Sequence, residues 1–183
     1  MIEVRWHGRG GQGGFTASRL LGKAAALFEN RYAMAFPSFG PERRGAPVLA
    51  FTRIDDKKIT NRSEVKNCDY VVVLDETLAE ESVLKGLKPD GALIINTADP
   101  ENYTKKFPGV KIITLDATNL ALEIMGRPIT NTAMFGALVA GSNVISLDSA
   151  LKGVEAEMKK SLVAKNQKIV EKAYNLIKGE TDV

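Results

Sequence analysis

Five glycines fall within seven residues of this chain, Gly8, Gly10, Gly11, Gly13 and Gly14, in the segment GRGGQGG. Glycine lets a backbone turn sharply and bring its N–H groups close to a ligand, at the cost of conformational entropy. Five exceed the need of a tight turn, and an approaching phosphate or partner backbone accounts for the excess. A helix that starts after such a turn offers an anion its unpaired N–H groups and the positive end of its dipole. Gly10, Gly11, Gln12, Gly13 and Gly14 are therefore candidate anion-binding residues. A second anion-seeking element is the pair Arg43–Arg44 in SFGPERRGAP, residues 38–47. Guanidinium groups meet phosphate or carboxylate with forked, charge-assisted hydrogen bonds.

Gly8, Gly10 and Gly13 also fit G-x-G-x-x-G, the turn that cradles a dinucleotide pyrophosphate. A nicotinamide site needs an acid about 20 residues on, at the end of the second strand, for the ribose hydroxyls. Glu29 has the spacing but sits at the end of a helix, and the second strand closes on Phe36, Pro37 and Ser38. The fingerprint is incomplete, which disfavours NAD. His7 abuts the loop without an assignable carboxylate partner and reads as a packed or interface histidine. Cys68 precedes an apolar strand and reads as a small buried residue. Asp75 and Glu76 follow that strand and read as caps of the next helix.

The elements that must position these residues follow from periodicity. Ile2, Val4 and Trp6 alternate with Glu3, Arg5 and His7, the period of a half-buried strand. A helical pattern runs from Phe15 through Leu20, Leu21 and Ala24 to Phe28. Residues 31–36 form a second strand. Residues 48–53 and 57–60, joined by Asp55-Asp56, read as an antiparallel hairpin inserted in a parallel pattern. Met34, Phe36 and Phe39 beside the arginines are either a partner contact or core. Residues 70–74 (YVVVL) are apolar throughout, as a parallel strand covered on both faces should be. A helix is expected over 77–86, a turn at Pro89-Asp90-Gly91, and strands at 92–95 and 111–115. Asp116 or Thr118 caps a helix through Met125, and Arg127-Pro128 ends it. Thr130, Asn131 or Thr132 starts a small-residue helix over 133–141. Residues 148–178 form one or two helices, with a break near Lys160. The alternation predicts a three-layer, Rossmann-like α/β sandwich with a largely parallel sheet.

At 183 residues the length suits a single domain, 1–183. One cysteine excludes an intrachain disulfide and a cysteine-held zinc or iron–sulfur cluster on this chain alone. One histidine leaves little for a histidine metal site or catalytic triad. The net charge of +3 does not suggest nucleic-acid binding. No apolar run approaches the roughly 20 residues of a membrane span. No signal-peptide pattern opens the chain, and a cytoplasmic location is expected.

GRGGQGG after a strand, then PSFGPERRGAPV and VLAFTRIDDKKI, resembles the γ subunit of 2-oxoacid:ferredoxin oxidoreductases of the pyruvate or branched-chain type. The likeness continues through CDYVVVLD and NTAMFGAL and covers most of the chain. It implies a subunit of a complex that converts a 2-oxoacid and coenzyme A to acyl-CoA and carbon dioxide while reducing ferredoxin. It further implies α and β subunits carrying thiamine diphosphate and magnesium, and a δ subunit carrying 4Fe-4S clusters. This chain holds none of these centres itself. Within such an enzyme, Gly10–Gly14 and Arg43–Arg44 become candidate contacts for coenzyme A phosphates or for a neighbouring subunit. A free-standing NAD(P)-binding oxidoreductase and a non-enzymatic assembly or regulatory subunit are the alternatives.

Overall fold

The computed structural model describes residues 1–38 and 44–181. Its elements are β1 (Ile2–Arg9), α1 (Gly14–Phe28), β2 (Tyr32–Pro37), β3 (Pro47–Asp55) and β4 (Cys68–Val73). Two 3-10 turns (Glu76–Leu78 and Glu81–Leu84) lead to β5 (Leu87–Asn96), α2 (Pro100–Lys106) and β6 (Lys111–Leu115). Helices α3 (Ala117–Met125), α4 (Asn131–Ser142), α5 (Leu147–Glu157) and α6 (Lys160–Thr181) complete the chain. The strands form one sheet in the order β2-β3-β1-β4-β5-β6. Strands β1, β4, β5 and β6 pair in parallel, and β3 runs antiparallel to both its neighbours, β1 and β2.

The two faces of the sheet are covered unequally. Val4, Trp6, Val72 and Ile94 point toward α1 and α3–α6 and share one large apolar core with them. Phe51, Val71, Val73, Leu93 and Ile95 point the other way, into a smaller cluster with Val65, Val83, Tyr103 and Phe107. That second layer is built from α2, the 3-10 turns and the segment before β4. Helix α4 is apolar on all sides and is buried from Asn131 through Ala140, as a helix enclosed between other layers must be. Gly136 makes this possible, because a Cβ there would lie 2.7 Å from the Val170 carbonyl oxygen on α6. Polar atoms in the large core are satisfied. The Trp6 indole donates to Thr52 Oγ1 at 3.1 Å, and that hydroxyl donates to the Ser18 carbonyl at 3.0 Å.

Three expectations are corrected. Residues 57–60 are not a strand, because both edges of β3 are already taken by β1 and β2. The antiparallel hairpin is β2–β3 instead. Residues 77–86 form two 3-10 turns rather than an α-helix. The carbonyls of Val83 and Lys85 turn inward to accept from the buried Arg5 guanidinium, so they do not continue a helical ladder. Pro89-Asp90-Gly91 lies inside β5. Leu87 pairs with Cys68 and Ala92 with Tyr70, so residues 88–91 bulge opposite Asp69 alone. A bulge tolerates the missing proline donor that a regular ladder would not. The break near Lys160 is present, between α5 and α6.

Candidate ligand site at the glycine loop

Strand β1 runs straight into the glycine turn. Gly11 (φ 95) and Gly13 (φ 79) adopt the left-handed conformation, which favours glycine on steric grounds. Space also demands it at Gly13, where a Cβ would lie 2.6 Å from Asn131 Nδ2. That amide donates to the Gly13 carbonyl at 3.4 Å and ties the turn to the start of α4. Gly13 is the N-cap of α1. No side chain caps this helix, and its first turn carries no acid. Among the described residues, no side chain answers its orphan N–H groups or the positive end of its dipole.

The loop is braced from β4. Gln12 Oε1 accepts from the Arg9 backbone N–H at 2.7 Å, and its Nε2 donates to Asp75 Oδ2 at 2.8 Å. Arg9 Nε donates to the same Asp75 oxygen at 3.2 Å, and Nη2 donates to Thr77 Oγ1 at 2.8 Å. Asp75 Oδ1 accepts from the Thr77 N–H at 3.0 Å, so its capping role holds and is joined by a second one. Burial pushes the Asp75 carboxyl up. The hydrogen bonds from Thr77 and Gln12 and the Arg9 charge outweigh that and hold it below the ordinary carboxylate value. With both ends of its carboxamide committed, Gln12 acts as a strut beneath the turn.

The arginine-bearing segment meets this turn. Gly10 donates to the Ala46 carbonyl at 2.9 Å, Gly45 donates to the Gly10 carbonyl at 3.1 Å, and Gly10 and Arg44 form a β-bridge. Arg9 Nη1 adds a bond to the Gly45 carbonyl at 3.1 Å. Arg44 is exposed, and Arg43 and Phe39 lie outside the described residues. Arg9, Asp75 and Asn131 are site residues that sequence reasoning missed. Their partners are 63 to 118 positions away along the chain, although an arginine inside the glycine motif and an acid after β4 were visible signals.

A cavity of about 490 Å3 opens beside Gln12 at the carboxyl ends of β4, β5 and β6, reaching Thr130 at the start of α4. It adjoins the point where the chain order reverses across the sheet, between β1 and β4, the usual position for a ligand in such folds. Its walls combine hydroxyls, carboxamides and carboxylates with apolar Leu74, Ala98 and Pro128, and include neither lysine nor arginine among the described residues. Glu76 is engaged by Thr97 Oγ1 at 2.7 Å, and Asp116 caps α3 through the Asn119 N–H at 3.0 Å. Thr118, the other candidate cap, instead accepts from Asn96 Nδ2 at 3.0 Å. The cavity is thus matched to neutral or cationic groups, and any anion belongs at the glycine turn and Arg44.

His7 is packed, as expected, but against Arg5 on the sheet's other face, where Arg5 Nε donates to its Nε2 at 2.9 Å. Burial and the Arg5 charge lower its pKa to about 4, so it is neutral at physiological pH. Cys68 is fully buried, and burial pushes its thiol up, which makes it inert. Among the described residues, no group of three or more His, Cys, Asp or Glu is arranged to hold a metal ion. No helix there is long and apolar enough to cross a membrane.

Fold and site together define a Rossmann-like α/β chain with a glycine turn at the switch point of its sheet. Residues 3–176 match the family described as pyruvate ferredoxin/flavodoxin oxidoreductase. The chain is 50% identical over 176 residues to pyruvate synthase subunit PorC of Methanocaldococcus jannaschii, covering 96% of each. It is 47% identical to the pyruvate/ketoisovalerate oxidoreductases common subunit gamma of Thermococcus kodakarensis, again covering 96% of each. The crystal structure of pyruvate oxidoreductase subunit PORC (EC 1.2.7.1) from Thermotoga maritima superposes with a TM-score of 0.84 at 39% identity, over 95% of both chains. The chain belongs to the pyruvate ferredoxin/flavodoxin oxidoreductase family, as a γ-type subunit of a 2-oxoacid:ferredoxin oxidoreductase.

Proposed function

We propose that this subunit contacts coenzyme A in a cytoplasmic, pyruvate-type complex and helps to hold that complex together. The reading rests on one observation: the uncapped N-terminus of α1 and the Arg44 segment are hydrogen-bonded into a single surface at the carboxyl edge of the sheet. A phosphate there would receive backbone N–H groups from Gly11, Gly13 and Gly14 and guanidinium groups from Arg43 and Arg44. The adjoining cavity, rich in hydroxyls and carboxamides, suits the nucleoside end of such a molecule better than its phosphates. Coenzyme A carries both.

The complex would convert a 2-oxoacid and coenzyme A to acyl-CoA and carbon dioxide, with ferredoxin as electron acceptor. Thiamine diphosphate, magnesium and 4Fe-4S clusters supply decarboxylation and electron transfer in that reaction, and we assign them to the α, β and δ partners. The one cysteine of this chain, Cys68 at the start of β4, is buried in an apolar cluster and cannot by itself hold an iron–sulfur cluster. The subunit's own part is to orient coenzyme A and to seat against its neighbours.

The test is the doubly substituted Arg43→Ala, Arg44→Ala subunit in the assembled enzyme. We expect KM for coenzyme A to rise about tenfold, equivalent to the loss of one charge-assisted contact, with the complex still eluting intact. An unchanged KM would rule out the phosphate role. Dissociation of the complex would instead make the pair a subunit contact.

A further inference from the structure

The sheet face away from α1 and α4 holds a second cavity, of about 520 Å3, between β1, β3, the second 3-10 turn and residues 64–67. Arg5 lines it and is 7% exposed. Two of its three guanidinium nitrogens are placed. Nε donates to His7 Nε2, and Nη2 donates to the carbonyls of Val83 at 2.7 Å and Lys85 at 2.8 Å. All these acceptors are neutral, because His7 is uncharged at physiological pH. Nη1 has no partner among the described residues, yet it is not one of the sealed, unsatisfied atoms of the core. Among the described residues, nothing closes it off from the cavity that Arg5 lines.

Among the described residues, no carboxylate forms an ion pair with Arg5. Of the nearby acids, Glu3 is ion-paired with Arg53 at 2.8 Å and Asp69 with Lys88 at 2.9 Å. Glu64, the one carboxylate lining the cavity, accepts from Ser38 Oγ at 2.7 Å. Lys66 and Lys85 also line the cavity and have no ion pair among the described residues. Among the described residues, three cations therefore line the cavity with one carboxylate, and one of those cations is buried. A buried charge without a counter-charge is a strong driving force for anion uptake. The remaining lining is mixed, with polar His7, Asn67 and Ser82 beside an apolar wall of half-buried Leu49 over Phe51 and Val65. A bare inorganic anion would leave that wall unfilled.

We propose that this cavity binds a small organic carboxylate, its head group on Arg5 with support from Lys66 and Lys85, and its apolar body against Leu49. The site is separate from the glycine turn. It lies on the opposite face of the same strand, so its occupancy and the coenzyme A contact can be tested independently.

The single histidine of the chain supplies the readout, because only one imidazole ring contributes to the NMR spectrum. Isobutyrate is titrated into the full chain, with the neutral isobutyramide and inorganic phosphate run in parallel. A saturable shift of the His7 ring signals below about 10 mM isobutyrate is expected, with either comparison compound at least tenfold weaker. The paired substitution Lys66→Ala, Lys85→Ala, at exposed positions, should weaken isobutyrate severalfold while the chain stays folded. Arg5→Gln should abolish binding. Absence of a saturable shift would overturn the proposal. So would equal binding of isobutyramide, which needs no cation, or of phosphate, which needs no apolar wall.

Discussion

Arg5 and Arg9 lie on the same strand, four residues and two full alternations apart, and they settle their charge in opposite ways. Arg9 reaches the carboxyl edge of the sheet and meets Asp75, Thr77 and the Gly45 carbonyl. Its charge is matched, and its work is to lock two loops into one surface. Arg5 points into the thinly covered face and meets only carbonyls and a neutral imidazole. One arginine completes a scaffold and the other remains available to a ligand. Charge complementarity within the chain thus separates a bracing residue from a binding residue, even where both are arginines on one strand.

Three measurements would break or sharpen that contrast. The largest effect is expected from the neutral His7 beside Arg5. Its pKa is about 4 in the folded chain and about 6.5 when unfolded. Between these values the unfolded state binds more protons, so stability is fully present above about pH 6.5 and is lost as pH falls toward 4. The total is up to about 3 kcal/mol. It should be read as a falling urea midpoint of the isolated subunit between pH 7 and 5, and His7→Asn should flatten the slope. A midpoint equally constant in the parent chain would mean that burial and Arg5 do not hold His7 neutral.

Asp75→Ala tests the matched arginine. It leaves Arg9 without its counter-charge, frees the Gln12 amide and removes a cap, at a cost of about 2 kcal/mol. Because Asp75 titrates low, its contribution is present above about pH 4 and disappears only below that. Its acid transition should therefore fall below that of His7, and coincident transitions would contradict the division between the two arginines. Gly13→Ala is expected to cost about 1–2 kcal/mol, from left-handed strain and the clash with Asn131. In the assembled enzyme it should raise KM for coenzyme A by more than Asp75→Ala does. The opposite order would place the ligand contact in the brace rather than in the turn.

Much of this arrangement was legible because it depends on neighbours in sequence. The alternation of β1, the apolar run of β4, the Asp116 cap of α3 and the break before α6 all follow from residues a few positions apart. The glycine turn was legible for the same reason, since its conformational needs are local. The convergence of that turn with the Arg44 segment, where Gly10, Gly45 and Ala46 join, fits the rule that ligand-binding loops of an α/β sheet gather at its carboxyl edge. What failed did so where distant groups compete for the backbone. The expected helix over 77–86 lost its carbonyls to Arg5, and the expected hairpin strand at 57–60 lost its partner to β1 and β2. Nothing near Arg5 in sequence reveals that its face of the sheet is covered by a 3-10 turn.

The sequence by itself determined the strand–glycine–helix unit, the α/β alternation and the family to which they point, because each is written in short-range pattern. The tertiary structure alone decided which arginine is neutralised. Counter-charge is a matter of a few ångströms in space, and Asp75 comes within reach of Arg9, but not of Arg5, only after β4 has docked beside β1.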